Sequence, residues 1–160
     1  MCLAFRRLCA RADIITPNIT EATLLTGLPY KEGPHEQEYI DHLIDGLSKL
    51  CTGIIALTGV RPDKEQVGVY AINTHTGEKF LCVRPAREGI FCGTGDIFAS
   101  AFASLTLRGA SLKDAVEAAI SLVGESIERT VERGTPRRNG VDFEGALPSY
   151  IKKISELCGE

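Results

Sequence analysis

The chain has 160 residues, 44% of them hydrophobic and 24% charged, with a formal net charge of −3. That length supports one domain with a real core, and the lack of a basic stripe with interleaved aromatics excludes nucleic acid as a main partner. Every apolar run is far shorter than the roughly 20 residues of a membrane-spanning helix, so no membrane partner is expected.

The opening "MCLAFRRLCARAD" carries arginines inside its apolar stretch and no small-residue cleavage site, so it does not read as a signal peptide. Its apolar residues at 2, 5, 8 and 9 fit the end of a helix. "ADIITP" is a short apolar strand stopped by Pro17. Asn18 can cap the following helix, "ITEATLLTG", and Gly27 can end it. Pro29 to Pro34 is a loop. "HEQEYIDHLIDGLSKLC" places Tyr39, Ile40, Leu43, Ile44, Leu47 and Leu50 on one helical face. "GIIALTG" is a continuous apolar strand of the kind found in parallel sheets buried on both faces.

The pattern then changes. "QVGVYAINTHTGEKFLCVRP" alternates, breaks at Thr76-Gly77 and alternates again, which predicts a β-hairpin. After Gly93 a helix runs to about Arg108 and stops at Gly109. Ser111 to Asp114 resembles a capping box opening a second helix to about Thr130. "GTPRRNGVDFEG" is a polar loop, and "ALPSYIKKISELC" a final short helix. Strands alternating with helices predict a single α/β layered domain over residues 1–160. Six cysteines, at 2, 9, 51, 82, 92 and 158, form no C-x-x-C pair and have no histidine at zinc spacing. They are expected to be buried thiols in a reducing cytoplasm. Cys92 is expected to be a packed small residue, and His35, His42 and His75 to lie at the surface.

Two short stretches carry chemistry. In "CGTGD" Gly93 and Gly95 flank Thr94 and a helix begins at once, with Asp96 in its first turn. The first N–H groups of a helix lack intrahelical partners and carry partial positive charge, so they can hold a phosphate. Glycines there let the backbone approach an anion. An acid beside that anion can orient an attacking hydroxyl and accept its proton. The plainer reading is a tight turn followed by a favourable first-turn acid. In "TPNITEA" Asn18 and Glu21, three apart, share a helical face at a strand-to-helix junction. An amide and a carboxylate there suit the outer shell of Mg2+, or serve as a simple cap.

"ITPNITEATLLTG", followed by "GTGDIFASAFASLTLRGASLKDAVEAA", resembles the ribokinase-like kinases, which carry an N-x-x-E motif and then a G-T-G-D motif. "ADIITPNITEA" is most similar to the pyridoxal (vitamin B6) kinases, and "GTPRRNGVDFE" resembles their bacterial members. The resemblance implies a three-layer α/β fold with helices on both faces of the sheet. The activity it implies is transfer of the γ-phosphoryl group of ATP to the hydroxymethyl group of pyridoxal, pyridoxine or pyridoxamine. Mg2+, and a monovalent cation, would serve as cofactors. Asp96 would be the base, with Gly93, Thr94 and Gly95 as the anion hole. Glu21 would act on the magnesium–phosphate assembly, supported by Asn18. Thr16, Thr58 and Gly59 would line the ATP phosphates, and Arg84, Pro85, Ala86 and Arg87, after the hairpin, would border the nucleotide.

Members of that family run to about twice this length, so the resemblance implies only the C-terminal half, truncated at the N-terminus. An open sheet edge and uncovered helix faces then predict self-association. A hydroxymethylpyrimidine kinase shares the same motifs, and a nucleotide-binding remnant without catalysis is the alternative from another class.

Overall fold

A computed structural model of the chain describes residues 2–136 and 139–159, without the side chain of Cys2. Arg137 and Arg138, in the polar loop that resembles bacterial pyridoxal kinases, lie outside the described residues. The chain divides into two compact units, residues 1–86 and 87–160.

The first unit begins with α1, Cys2–Cys9, whose Leu3, Phe5 and Leu8 are exposed. Strand β1 is only Ile14–Ile15, shorter than "ADIITP" predicts. Pro17 has no N–H for a ladder, yet the pairing persists through carbonyls on either side: Asp13 accepts from the Ile54 N–H at 2.8 Å and Pro17 from that of Thr58 at 2.9 Å.

Helix α2, Ile19–Thr26, has the caps that the sequence predicts. The Asn18 side chain accepts from the Glu21 N–H at 2.9 Å, and Glu21 Oε2 accepts from the Asn18 N–H at 2.9 Å. Gly27 ends the helix at φ 81°, a conformation that suits glycine. Asn18→Ala should cost about 1 kcal/mol, read as a lower urea midpoint with an unchanged slope.

Helix α3, Gln37–Ser48, buries Tyr39, Ile40, Leu43, Ile44 and Leu47. Leu50 lies past its end and is half-buried. Strands β2 (Ile54–Val60), β3 (Gln66–Asn73) and β4 (Lys79–Pro85) complete a sheet of order β1-β2-β3-β4. The β1–β2 pair is parallel, and β2–β3 and β3–β4 are antiparallel. The long apolar run of β2 therefore marks a central strand of a mixed sheet, not of a parallel one. A bulge interrupts β2 between Thr58 and Val60, where Gly59 adopts φ 75°. The core joins Ile15, Ala22, Leu43, Leu47, Ile55 and Leu57 from four elements.

In the second unit α4 (Thr94–Leu107) packs on α5 (Leu112–Glu132), and α5 on α6 (Leu147–Cys158). Ser111 caps α5, accepting from the Asp114 N–H at 3.1 Å and donating to Asp114 Oδ2 at 2.6 Å. The link to α6 is tied to the end of α5. The buried Thr130 hydroxyl accepts from the Asp142 N–H at 2.8 Å and donates to the Ser126 carbonyl at 2.7 Å. The Asp142 carboxylate pairs with Arg133 at 2.9 Å and Arg129 at 3.4 Å. Phe98, Phe102 and Leu105 on α4, and Val116, Ala119 and Leu122 on α5, are buried.

Among the described residues no helix is long and apolar enough to cross a membrane.

Candidate functional site

In the second unit the turn before α4 is set by Gly93. Its φ of 85° lies in the left-handed region, where a side chain is strained. The Thr94 hydroxyl donates to the Phe91 carbonyl at 3.2 Å and holds the turn closed. Asn18 and Ser111 cap α2 and α5, whereas among the described residues no side chain caps α4. Its first N–H groups therefore have neither an intrahelical acceptor nor a cap. A Cβ at Gly95 would meet nothing within 4 Å, so the helix entrance is open space. Asp96, three residues past the cap, is exposed and borders a cleft of about 730 Å³ together with Gly93, Ser100, Arg133, Phe143 and Tyr150. The Tyr150 hydroxyl donates to the Ala101 carbonyl at 2.8 Å and lies 2.8 Å from Ser104 Oγ, so the cleft floor is fixed to α4.

Cys92 is exposed at the rim of this cleft, not packed as expected, because the turn that carries it stands outside the core. Cys51 and Cys82 are buried and Cys9 and Cys158 half-buried, and all five are free thiols.

In the first unit, the bond from the Thr58 N–H to the Pro17 carbonyl and a bridge between Asn18 and Thr58 bring "TPN" beside "TG". Thr16 and Thr58 are half-buried there. Asn18 and Gly59 border one cleft of about 430 Å³, with Thr20, Glu32, His35 and Arg61. The capping role of Asn18 and Glu21 is realised in full, and it leaves the exposed Glu21 with a second carboxylate oxygen bonded to no described residue. Among the described residues no three acidic, histidine or cysteine side chains cluster. One free hard oxygen beside an amide fits an ion that keeps most of its waters, as Mg2+ does.

Arg84 and Pro85 lie within β4, not after the hairpin, and Ala86 extends the ladder by donating to the Glu65 carbonyl at 2.6 Å. Pro85 is tolerated because β4 is an edge strand. The exposed Arg87 pairs with Glu128 at 3.6 Å. None of the four borders either cleft.

His42 and His75 are exposed, but His35 is 7% exposed, a correction to the surface assignment. Its Nδ1 accepts from the Arg61 N–H at 3.0 Å, and its Nε2 lies 3.2 Å from the Lys31 carbonyl. Only a neutral ring with its proton on Nε2 satisfies both partners. The ring also stacks on Tyr39, with centroids 5.7 Å apart. Burial pushes the His35 pKa below its ordinary 6.5; the Lys31 carbonyl opposes this and the Arg61 charge adds to it. Just below pH 6.5 the unfolded ring binds a proton that the folded ring does not. The contribution of His35 is therefore complete above that pH and is lost as the pH falls toward the lowered folded value. Melting temperatures between about pH 7.5 and about pH 5.5 should fall for the native chain and fall less for His35→Gln.

Neither motif in the sequence includes His35 or Arg61. The only hint was an arginine two residues past Thr58-Gly59, at the end of a strand facing the Asn18 turn.

Fold comparison gives the class. The chain matches pyridoxal kinase from Lactobacillus plantarum with a TM-score of 0.83 and 27% identity, over 97% of this chain and 55% of that one. It matches a candidate phosphomethylpyrimidine kinase from Bacteroides thetaiotaomicron, solved with pyridoxal, with a TM-score of 0.85 and 28% identity, over 93% and 52%. The chain has the α/β fold of these kinases, a mixed sheet with helices on both sides. The sequence model of the phosphomethylpyrimidine kinase family matches residues 2–140, and the chain belongs to that family. A candidate pyridoxal kinase of Schizosaccharomyces pombe is 27% identical over 167 residues, 96% of this chain and 51% of the relative. The chain thus spans about half the length of the relatives it matches.

Proposed function

We propose that this chain carries the phosphoryl-transfer residues of a vitamin B6 kinase, acting from ATP on the hydroxymethyl group of pyridoxal, pyridoxine or pyridoxamine. The observation that carries this reading is the entrance of α4: uncapped, left-handed at Gly93, open at Gly95, with Asp96 on a cleft. Asp96 takes the proton of the hydroxymethyl group as its oxygen attacks the γ-phosphorus, and ADP leaves. The N–H groups from Gly93 to Gly95 face the charge that develops on the transferred group. Glu21, oriented by Asn18, would hold Mg2+ through water, and the ion would supply neutralisation of phosphate charge. Thr16, Thr58 and Gly59 border the phosphates, and a monovalent cation completes the cofactors.

The support from relatives is the kinase family itself and a neighbour at 28% identity solved with pyridoxal. The family match equally favours a hydroxymethylpyrimidine as acceptor, the second reading. We also place the chain in the cytoplasm, where free thiols persist. Its exposed Leu3, Phe5 and Leu8 are consistent with self-association.

A coupled ADP-release assay with pyridoxal and hydroxymethylpyrimidine in parallel, beside calorimetric titration of MgATP, tests the reading. Turnover with pyridoxal supports it. Turnover with the pyrimidine alone transfers it to the second reading, and MgATP binding without any turnover marks a remnant.

A further inference from the structure

The cleft in the first unit holds a cation that neither motif includes. Arg61 borders it with Asn18, Gly59 and Thr20. The backbone of Arg61 is gripped twice by one buried residue: its N–H donates to His35 Nδ1 at 3.0 Å, and its carbonyl accepts from the His35 N–H at 2.6 Å. Its stem lies against Gly33, where an added Cβ would stand 2.8 Å from Arg61 Cβ, so a glycine makes room for it. Arg61 is exposed, and no carboxylate among the described residues pairs with it. Some other arginines have carboxylate partners: Arg87 has Glu128, and Arg129 and Arg133 share Asp142. His35 is held neutral by its two partners, so Arg61 supplies the positive charge at this cleft. Glu32 borders the cleft as well and would repel a bare anion.

We propose that Arg61 is a polyphosphate-binding residue of this cleft, that His35 is its positioning residue, and that the ligand is a magnesium-loaded polyphosphate. A planar guanidinium donates two parallel hydrogen bonds to phosphate oxygens, which a lysine cannot reproduce. The magnesium ion offsets the charge of Glu32. The proposal deepens the kinase reading, since Asn18 and Gly59 border the same cleft, but it concerns the phosphate chain alone.

The test is calorimetric titration of inorganic tripolyphosphate and of ATP, each with and without Mg2+, into the full chain. The native chain should bind both magnesium complexes and bind the free anions more weakly. Arg61→Ala should lose at least about tenfold in affinity for both, and Arg61→Lys should recover only part of it. His35→Phe should weaken both, with His35→Gln, which keeps an acceptor, recovering most of the loss, provided that each variant melts cooperatively. Tripolyphosphate binding that depends on Arg61, without ATP binding, would leave the clamp standing and remove the nucleotide reading. Native affinity in Arg61→Ala would overturn the clamp and leave the kinase reading intact. A native chain that binds neither magnesium complex would overturn both.

Discussion

Asp96→Asn should reduce phosphoryl transfer by about 10²–10⁴-fold, the usual contribution of a positioned general base. MgATP affinity should change little, because the substitution keeps the size of the side chain and leaves the N–H groups of Gly93 to Gly95 in place. The geometry behind this expectation is local to α4. Gly93 turns the chain in a conformation open to glycine, the Thr94 hydroxyl ties back to Phe91, and the third helical residue is delivered to the cleft. Single-turnover kinetics beside MgATP titration separate the two effects. A variant that keeps its transfer rate would remove Asp96 from the chemistry. One that loses nucleotide binding and rate together would make Asp96 a binding residue.

The second large effect concerns the helix that presents Asp96. Phe102→Ala should cost about 3–5 kcal/mol, the range for emptying a fully buried aromatic site. Phe102 has 0% exposure and stacks on Phe98 with ring centroids 5.5 Å apart and planes 11° from parallel. Domains of this size are stable by only about 5–15 kcal/mol, so the loss is a large share of the total. Urea denaturation followed by far-UV circular dichroism reads it. Phe102→Leu, which keeps most of the buried area, should retain a substantial part of the stability. Equal midpoints for the alanine variant and the native chain would contradict the packing account.

Local features of the first unit were legible because nearby residues decide them. Asn18 and Glu21 satisfy each other's backbone within one helical turn, and Gly27 stops the helix by its own conformational freedom. The apolar face of α3 follows from helical spacing alone, and the hairpin from alternation around Thr76-Gly77. The uncapped entrance of α4 was legible for the same reason, since glycine, threonine and aspartate act there on adjacent peptide groups.

Features that depend on distant partners were not legible. β1 counts only two residues because Pro17 has no N–H for the ladder, although its carbonyl still accepts from the Thr58 N–H. Whether β2 meets parallel or antiparallel neighbours is set by the chain beyond it. His35 is polar and lies in a loop, and its main-chain and ring bonds to Arg61, far along the chain, form only once the unit has packed. Thr130 and Asp142 likewise gain their bond from a loop returning to α5.

By itself the sequence determined the helices, their caps, the hairpin, the kinase motifs and the acid at the entrance of α4. Each of these is fixed by hydrogen bonds or side-chain spacing within a few residues. Only the tertiary structure decided that Asn18 and Gly59 share a cleft with Arg61, that Asp96 borders a cleft within the second unit, and that Cys92 is exposed while His35 is buried. Those properties belong to the space between segments far apart in the chain, and burial and pairing there exist only once the segments have packed.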